Sequence, residues 1–442
     1  MFSLTLGCAA QSQEPGHPSV LVVSFDTLRR DRLGAYGNVD SLTPNLDAFA
    51  RSALVFDNAV APSNETLFSH AALFTGRYVS EIGAVDYSFT LPPEEKTLAE
   101  VFGLYGYETG AFVAGGHLDP VFGLQDGFGT YESVRDWGSF FHTVPPALAW
   151  LDDVDGDFFL VVHGYDAHHR YLKPHSDLPE GVAGEVARRH SGTARVVEGQ
   201  YFPDKRFGDL FAKDHLRAWD AAARAREREG GVPFGPTAAA AVAGVYDSAV
   251  QYGDAWFGEL MAGLESRGKL DDTIIVVLGD HGEDLGEHGL FNHRPPLCED
   301  VVRVPLLISV PGGRTGRVSE TVSLVDIAPT LFAATGLAPP AGLSGSDLLA
   351  PPKERTVFSE SAFRELLATR GAARLSFSGL SPHNPFLVPI MKASDPHGPA
   401  WEGDLSLRDE LISWREKLDP RASGEVSEER RELLGQRGYW TP

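Results

Sequence analysis

Thr273-Ile274-Ile275-Val276-Val277-Leu278-Gly279-Asp280-His281-Gly282-Glu283 is the stretch from which the architecture can be read. It opens as an unbroken run of β-branched and aliphatic residues, the pattern of a parallel strand buried on both faces. It then ends on an acid, an imidazole and a glycine, with Glu283, Asp284, Glu287 and His288 close behind. Open α/β sheets place their ligand crevices beyond the carboxyl ends of such strands. Carboxylate oxygens and imidazole nitrogens together suit a divalent cation such as Zn, Mn or Ca. A strand end capped by ordinary solvated charges would carry the same letters, so the partners elsewhere in the chain decide.

Working outward, Ser19-Val20-Leu21-Val22-Val23-Ser24-Phe25 is a second continuous apolar strand, and it too ends on an acid, Asp26. Thr43 followed by Pro44 has the N-cap and first-position signature of a helix start. Phe56 to Pro62 reads as a short strand and loop, and Thr66 to Gly76 as a helix that glycine terminates. Lys96 to Val113 reads as helix then strand. Asp157-Phe158-Phe159-Leu160-Val161-Val162-His163 is another buried strand, delivering Asp166-Ala167-His168-His169 in the loop after it. Val245 to Leu264, apolar at Val250, Phe257 and Leu260, is an amphipathic helix. The alternation predicts an α/β fold, a doubly wound and mostly parallel sheet flanked by helices.

With 442 residues, 43% hydrophobic and 22% charged, the chain can bury a large α/β core. A net charge of −23 disfavours nucleic acid, which wants a basic face. An anionic substrate would then need a locally positive site, most simply a metal. Two cysteines, Cys8 and Cys298, exclude a disulfide framework. Leu4 to Ala10, with Gly7 before Cys8, is similar to the tail of a bacterial lipoprotein signal. A polar tether from Gln11 to Pro18 follows. The expectation is an exported, periplasmic or outer-membrane lipoprotein that meets the membrane only through a lipid at Cys8; a cytoplasmic protein with an unpacked tail is the alternative. Either way residues 1–18 should pack against nothing.

The chain resembles the sulfatase family of the alkaline phosphatase superfamily. The resemblance is carried by the strand into Asp26, Thr43-Pro44-Asn45-Leu46-Asp47 and Leu73-Phe74-Thr75-Gly76-Arg77. Gly279 to Glu283, Arg303-Val304-Pro305-Leu306 and Ser323 to Leu331 carry it further, over residues 19 to about 340 in the expected order. It implies an alkaline phosphatase-like fold with a short C-terminal subdomain. It also implies a catalytic domain over 19–350 and a small region over 351–442, with a strand at Ala373–Ser378 and a helix at Glu425–Leu434. From 180 to 240 the family pattern lapses, and the Ala-, Arg- and Glu-rich composition reads as a helical insertion over the active-site face.

Two departures bear on the chemistry. Sulfatases carry Cys or Ser in C/S-x-P-S-R and convert it to formylglycine; that position here is Thr66, with Phe68 for Pro and His70 for Arg. The paired acids after the first strand become Asp26-Thr27. A threonine with one acid from the first strand and an Asp-His pair from a later one resembles phosphoethanolamine transferases and lipoteichoic acid synthases. Nucleotide pyrophosphatase/phosphodiesterases share the Thr and add a second zinc. The resemblance thus implies one divalent metal on Asp26, Asp280, His281 and Thr66, with Thr66 as nucleophile. His70, one turn on, either meets substrate oxygen or packs. His168 and His293 are expected as catalytic residues, and Asp166 and Arg77 as substrate-binding ones. Asp166, His168 and His293 are also candidates for a second metal. The implied function is metal-dependent hydrolysis or transfer of a phosphate or sulfate ester, with a small-molecule, glycan or lipid substrate. The alternative is a degenerate relative that binds an anionic glycan or lipid head group without turnover.

Overall fold

A computed structural model of the chain describes residues 17–40, 42–84, 87–134, 138–168, 195–197, 200–202, 236–287, 291–293, 297–361, 365–377 and 405–416. The strands are β1 (Ser19–Phe25), β2 (Leu54–Val60), β3 (Glu108–Ala114), β4 (Thr130–Val134) and β5 (Phe158–Gly164), then the short pair β6 (Arg195–Val197) and β7 (Gln200–Phe202). After them come β8 (Thr273–Gly279), β9 (Asp284–Leu285), β10 (Phe291–Asn292), β11 (Leu306–Ser309), β12 (Gly316–Ser323), β13 (Val357–Glu360), β14 (Leu366–Arg370) and β15 (Ala373–Phe377). Eight of them form one sheet in the order β12-β2-β11-β8-β1-β5-β3-β4. Only β11 runs against its two neighbours, β2 and β8; the other pairings are parallel.

The apolar runs read from the sequence are the middle of this sheet. β1 lies between β8 and β5. Its alternate residues divide between two cores, Val20 and Val22 on one face and Leu21, Val23 and Phe25 on the other. β8 does the same, with Ile274, Val276 and Leu278 opposite Ile275 and Val277. A strand apolar at every position can exist only where both faces are covered. The first face is covered by α2 (Thr66–Thr75), α3 (Leu98–Leu104) and α6 (Ile327–Thr335). There Phe102 stacks on Phe159 at 4.8 Å and on Phe332 at 5.5 Å. The second is covered by α1 (Pro44–Ala50), α4 (Phe140–Asp152) and α5 (Pro236–Ser266), which bring Leu46, Phe140, Val144, Phe257 and Leu260. The doubly wound expectation is met.

α1 starts at Pro44 after Thr43, but the Thr43 hydroxyl donates to Asp47 Oδ1 at 3.1 Å rather than capping the backbone. Asp254 of α5 takes the capping role, accepting from Asn45 N at 3.1 Å and Leu46 N at 2.8 Å. β13–β15 form the small antiparallel C-terminal sheet. It is joined to the large domain: Glu360 N donates to Pro62 O, and the Ser359 hydroxyl to Ala61 O, in the loop that enters α2.

Two expectations change. Between 180 and 235 the described residues are the antiparallel β6–β7 pair, while the Ala-, Arg- and Glu-rich run expected as helix lies outside the described residues; α5 begins at Pro236, ahead of Val245. The end of the tether is packed: His17 Nδ1 donates to Thr335 O at 2.8 Å, and Pro18 O accepts from the Tyr107 hydroxyl at 3.0 Å. Cys8 and the remainder of the tether, like the helix expected over Glu425–Leu434, lie outside the described residues. A C-terminal helix is described over Leu405–Glu416 (α7), whose Trp414 stacks on Phe358 at 4.3 Å. No described helix is long and apolar enough to cross a membrane.

Candidate active site and metal centre

The pairing of β1 with β8 ends at Phe25 opposite Gly279, so Asp26 and Asp280 leave the sheet side by side. Asp280 N donates to Phe25 O at 3.2 Å, and Asp26 N donates to Gly164 O on the other flank at 3.0 Å. Both carboxylates are fully buried, at 0% and 1% exposure, where an uncompensated charge is costly. Asp280 Oδ1 accepts from Thr27 N at 3.1 Å and from His281 N at 2.8 Å. Among the described residues Asp280 Oδ2 has no hydrogen-bond donor. Burial, then the neighbouring Asp26 carboxylate, pushes Asp280 well above the usual carboxylate range.

α2 aims its N-terminus at this pair. Thr66 is its first residue, with Glu65 at the N-cap and Gly76 closing the other end in a left-handed conformation, φ 64°. The Thr66 hydroxyl donates to Asp26 Oδ2 at 2.9 Å and lies 3.4 Å from His281 Nε2. Its neighbours are the first-turn N–H groups that a helix leaves unpaired, a favourable seat for an anion. The Ser69 hydroxyl, donating to Asp280 O at 2.7 Å, fastens the helix to the end of β8.

Four imidazoles close round the acids with their protons assigned by backbone carbonyls, since only an N–H can face a carbonyl oxygen. Nδ1–H of His70 donates to Thr66 O (2.9 Å), of His163 to Ser24 O (3.0 Å), of His281 to Gly282 O (3.0 Å) and of His293 to Asn64 O (2.8 Å). Each neutral ring therefore carries its lone pair on Nε2. Burial holds His163 down to about 3 and His70 and His281 well below the usual range, with His163 adding to the effect on His70 and His293 to that on His281. His293 Nε2 faces His168 Nε2 at 3.2 Å, so His168 supplies the proton of that bond. The His281 and His293 rings are 4.5 Å apart, which places the His168–His293 pair beside the nucleophile.

A divalent cation fits this donor set. One ligand atom each from Asp26, Asp280 and His281 lies within 4.8 Å of the others. Two adjacent buried carboxylates, an Asp280 oxygen without a donor and an imidazole lone pair are the groups that a cation satisfies. The expected set of Asp26, Thr66, Asp280 and His281 is thus assembled.

The structure places two other expected residues elsewhere. Arg77 lies past the far end of α2, which at 10 residues spans about 15 Å. It pairs there with Glu95 at 2.5 Å and donates to Glu81 O at 3.2 Å. Asp166 turns its Oδ2 to Phe140 N at 2.9 Å and so seats the start of α4. With Asp166 committed to that helix, Asp166, His168 and His293 do not converge as a metal group among the described residues. His169, from the same expected loop, lies outside the described residues.

Other residues emerge only from the fold. His163, at the end of β5, pairs in register with Ser24 of β1, and its Nε2 lies 3.5 Å from Asp26 Oδ2. Its one sequence signal is a polar residue closing an apolar strand. Tyr87 donates to the Glu65 carboxylate beside the nucleophile. Thr27 adopts φ 54°, a left-handed conformation costly for a β-branched residue. Its hydroxyl donates to Ala167 O at 2.6 Å, while its carbonyl accepts from the Tyr246 hydroxyl at 2.6 Å. The buried Arg29 guanidinium holds the segment after β8 by donating to Glu283 O at 3.0 Å and pairing with Glu287, Asp300 and Asp31.

Comparison with known proteins bears on the family and the fold. The family model described as Sulfatase matches residues 18–337. Human arylsulfatase A is 30% identical over 372 residues, covering 78% of this chain and 70% of that protein. An N-acetylglucosamine-6-O-sulfatase of Bacteroides thetaiotaomicron is 25% identical over 417 residues, covering 79% and 73%. Among solved structures, a phosphonate monoester hydrolase of Agrobacterium radiobacter superimposes with a TM-score of 0.65 at 20% identity, over 93% of this chain and 98% of that one.

Proposed function

The chain belongs to the sulfatase family, and within that family of ester hydrolases we propose that it cleaves phosphate esters through Thr66. The observation that carries this reading is the Thr66 hydroxyl itself, at the first position of a helix, 2.9 Å from Asp26 Oδ2 and 3.4 Å from His281 Nε2.

Asp26, Asp280 and His281 are the residues that would hold a divalent cation, whose chemistry is Lewis acidity toward the hydroxyl and the ester oxygens. Asp26 Oδ2, already the acceptor of the Thr66 hydroxyl, is placed to take its proton. Thr66 Oγ1 then forms a bond to phosphorus as the bond to the leaving alcohol breaks, with the first turn of α2 facing the charge that develops. The His168 and His293 Nε2 atoms lie 3.2 Å apart beside the nucleophile, and a proton taken up from solvent on this pair would pass to the departing oxygen and be replaced from the attacking water in the second step. Water attacks the phosphothreonine in the second step, breaking its P–O bond, releasing phosphate and returning a proton to the hydroxyl.

A phosphorylated threonine can be released in this way. A sulfated threonine lacks the hemiacetal route through which the formylglycine enzymes expel sulfate, and would stall. The names of the relatives, arylsulfatase A and N-acetylglucosamine-6-O-sulfatase, support a small-molecule or glycan ester as substrate. The test is a screen of aryl phosphate monoesters, phosphodiesters and sulfates on protein stripped of metal and then supplied with Zn²⁺, Mn²⁺ or Ca²⁺. Phosphate turnover above sulfate, abolished by chelation, is the expected result. Faster sulfate turnover would overturn the chemistry, and tight binding without turnover of any ester would make this a binding protein.

A further inference from the structure

We infer that the chain holds a second cation, on His70, His163 and Asp280, on the side of the acid pair turned toward the body of α2. One ligand atom from each of these three residues lies within 4.8 Å of the others. The group shares Asp280 with the Asp26–Asp280–His281 set but takes its two imidazoles from different elements, His70 from α2 and His163 from β5.

Three features single this cluster out. All three residues are fully buried, at 0%, 0% and 1% exposure, out of reach of bulk water. Nδ1–H of His70 is committed to Thr66 O and that of His163 to Ser24 O, leaving both Nε2 lone pairs without a donor among the described residues. Locking one ring nitrogen to a carbonyl is how metal-binding histidines have their tautomer and orientation set. Finally, Asp280 Oδ2 also lacks a donor among the described residues, and it lies 3.7 Å from Nδ1 of the His70 ring and 3.8 Å from His281 Nε2, between the two imidazole groups. A carboxylate so placed can bridge two cations at the separation of about 3.5–4 Å found in two-metal hydrolytic sites.

Packing alone accounts poorly for these residues. A buried imidazole whose Nε2 finds no partner loses a hydrogen bond, at about 1–3 kcal/mol; here two such rings close on a carboxylate that also has an oxygen without a donor among the described residues. The donor set of two neutral imidazoles and a carboxylate selects a borderline-soft ion such as Zn²⁺ over Ca²⁺ or Mg²⁺, which prefer oxygen.

The inference extends the one-cation reading of the site and is tested apart from it. Full-length protein is stripped with chelator and titrated with Zn²⁺ and with Co²⁺, reading bound metal per chain by elemental analysis and cobalt absorption. Two ions per wild-type chain are expected, and one per chain in His70→Ala and His163→Ala. His163→Asn is the conservative variant: its amide can still donate to Ser24 O but offers no imidazole lone pair, so it should also bind one ion. Circular dichroism and melting of the metal-free variants check that each is folded. Thr66→Ala should retain both ions. One ion in wild type, left unchanged by His70→Ala and His163→Asn, would overturn the second site and leave the first standing. No bound ion in wild type would remove both.

Discussion

Replacing Thr66 by alanine separates the nucleophile from the scaffold that carries it. The hydroxyl is 1% exposed and donates one hydrogen bond, to the Asp26 carboxylate at 2.9 Å. Losing a hydrogen bond to a charged acceptor costs about 1.5–3 kcal/mol, partly offset by alanine's better helix propensity, up to about 0.7 kcal/mol. The fold should thus lose only about 1–2 kcal/mol. The barrier should rise far more, because no other oxygen occupies that place at the head of α2. A fall of about 10⁴-fold in kcat/KM, or about 5.4 kcal/mol at 1.36 kcal/mol per decade, is expected. Thr66→Ser keeps the oxygen, loses a buried methyl worth about 1 kcal/mol, and should stay within about 100-fold of wild type. Rates on an aryl phosphate are measured alongside urea unfolding, with intact-mass spectrometry of quenched reactions to detect a phosphoryl adduct on wild type and Thr66→Ser. Thr66→Ala activity above a tenth of wild type at unchanged metal content, or an adduct mapped to another residue, would refute the assignment.

Two further outcomes follow from the geometry. Arg77→Ala should leave kcat/KM within about threefold of wild type while lowering stability by up to about 1 kcal/mol, the worth of a partly exposed ion pair, because Arg77 pairs with Glu95 beyond the far end of α2; a raised KM in steady-state kinetics would return it to the substrate site. Burial pushes Glu360 up to about 7, although Ser80 N donates to it, so its contribution is fully present below the usual glutamate range and is lost as pH rises through about 7. That amounts to at most about 3 kcal/mol at 1.36 kcal/mol per unit, and urea midpoints from pH 5 to 8 should decline more steeply in wild type than in Glu360→Gln; equal slopes would count against it.

Much of the centre was legible because continuous apolar strands announce their own ends. Asp26 and Asp280 each close a run that can only be a buried strand, and the β1–β8 pairing then sets them side by side. Thr66 was found from its spacing to Gly76-Arg77. What stayed hidden depends on contacts across the chain. His163 reaches the site only because β5 pairs with β1 in the register that sets it against Ser24, and strand order is not written locally. Asp166 sits in the expected loop, yet its carboxylate serves the N-terminus of α4, a choice between two neighbours that letters alone do not make. Arg77 shares a motif with the nucleophile, but a helix converts closeness in sequence into distance along an axis.

The position of β1 between β8 and β5 has a consequence for how such a chain diversifies. The charged cluster hangs on the three innermost strands, whose residues are locked by packing on both faces and tolerate little change. The connecting segments outside the sheet are where insertions and substitutions are tolerated most readily. Selection can therefore redesign what is recognised without reopening the chemistry at the centre. A lineage built this way can explore new esters at little risk to the reaction it already performs.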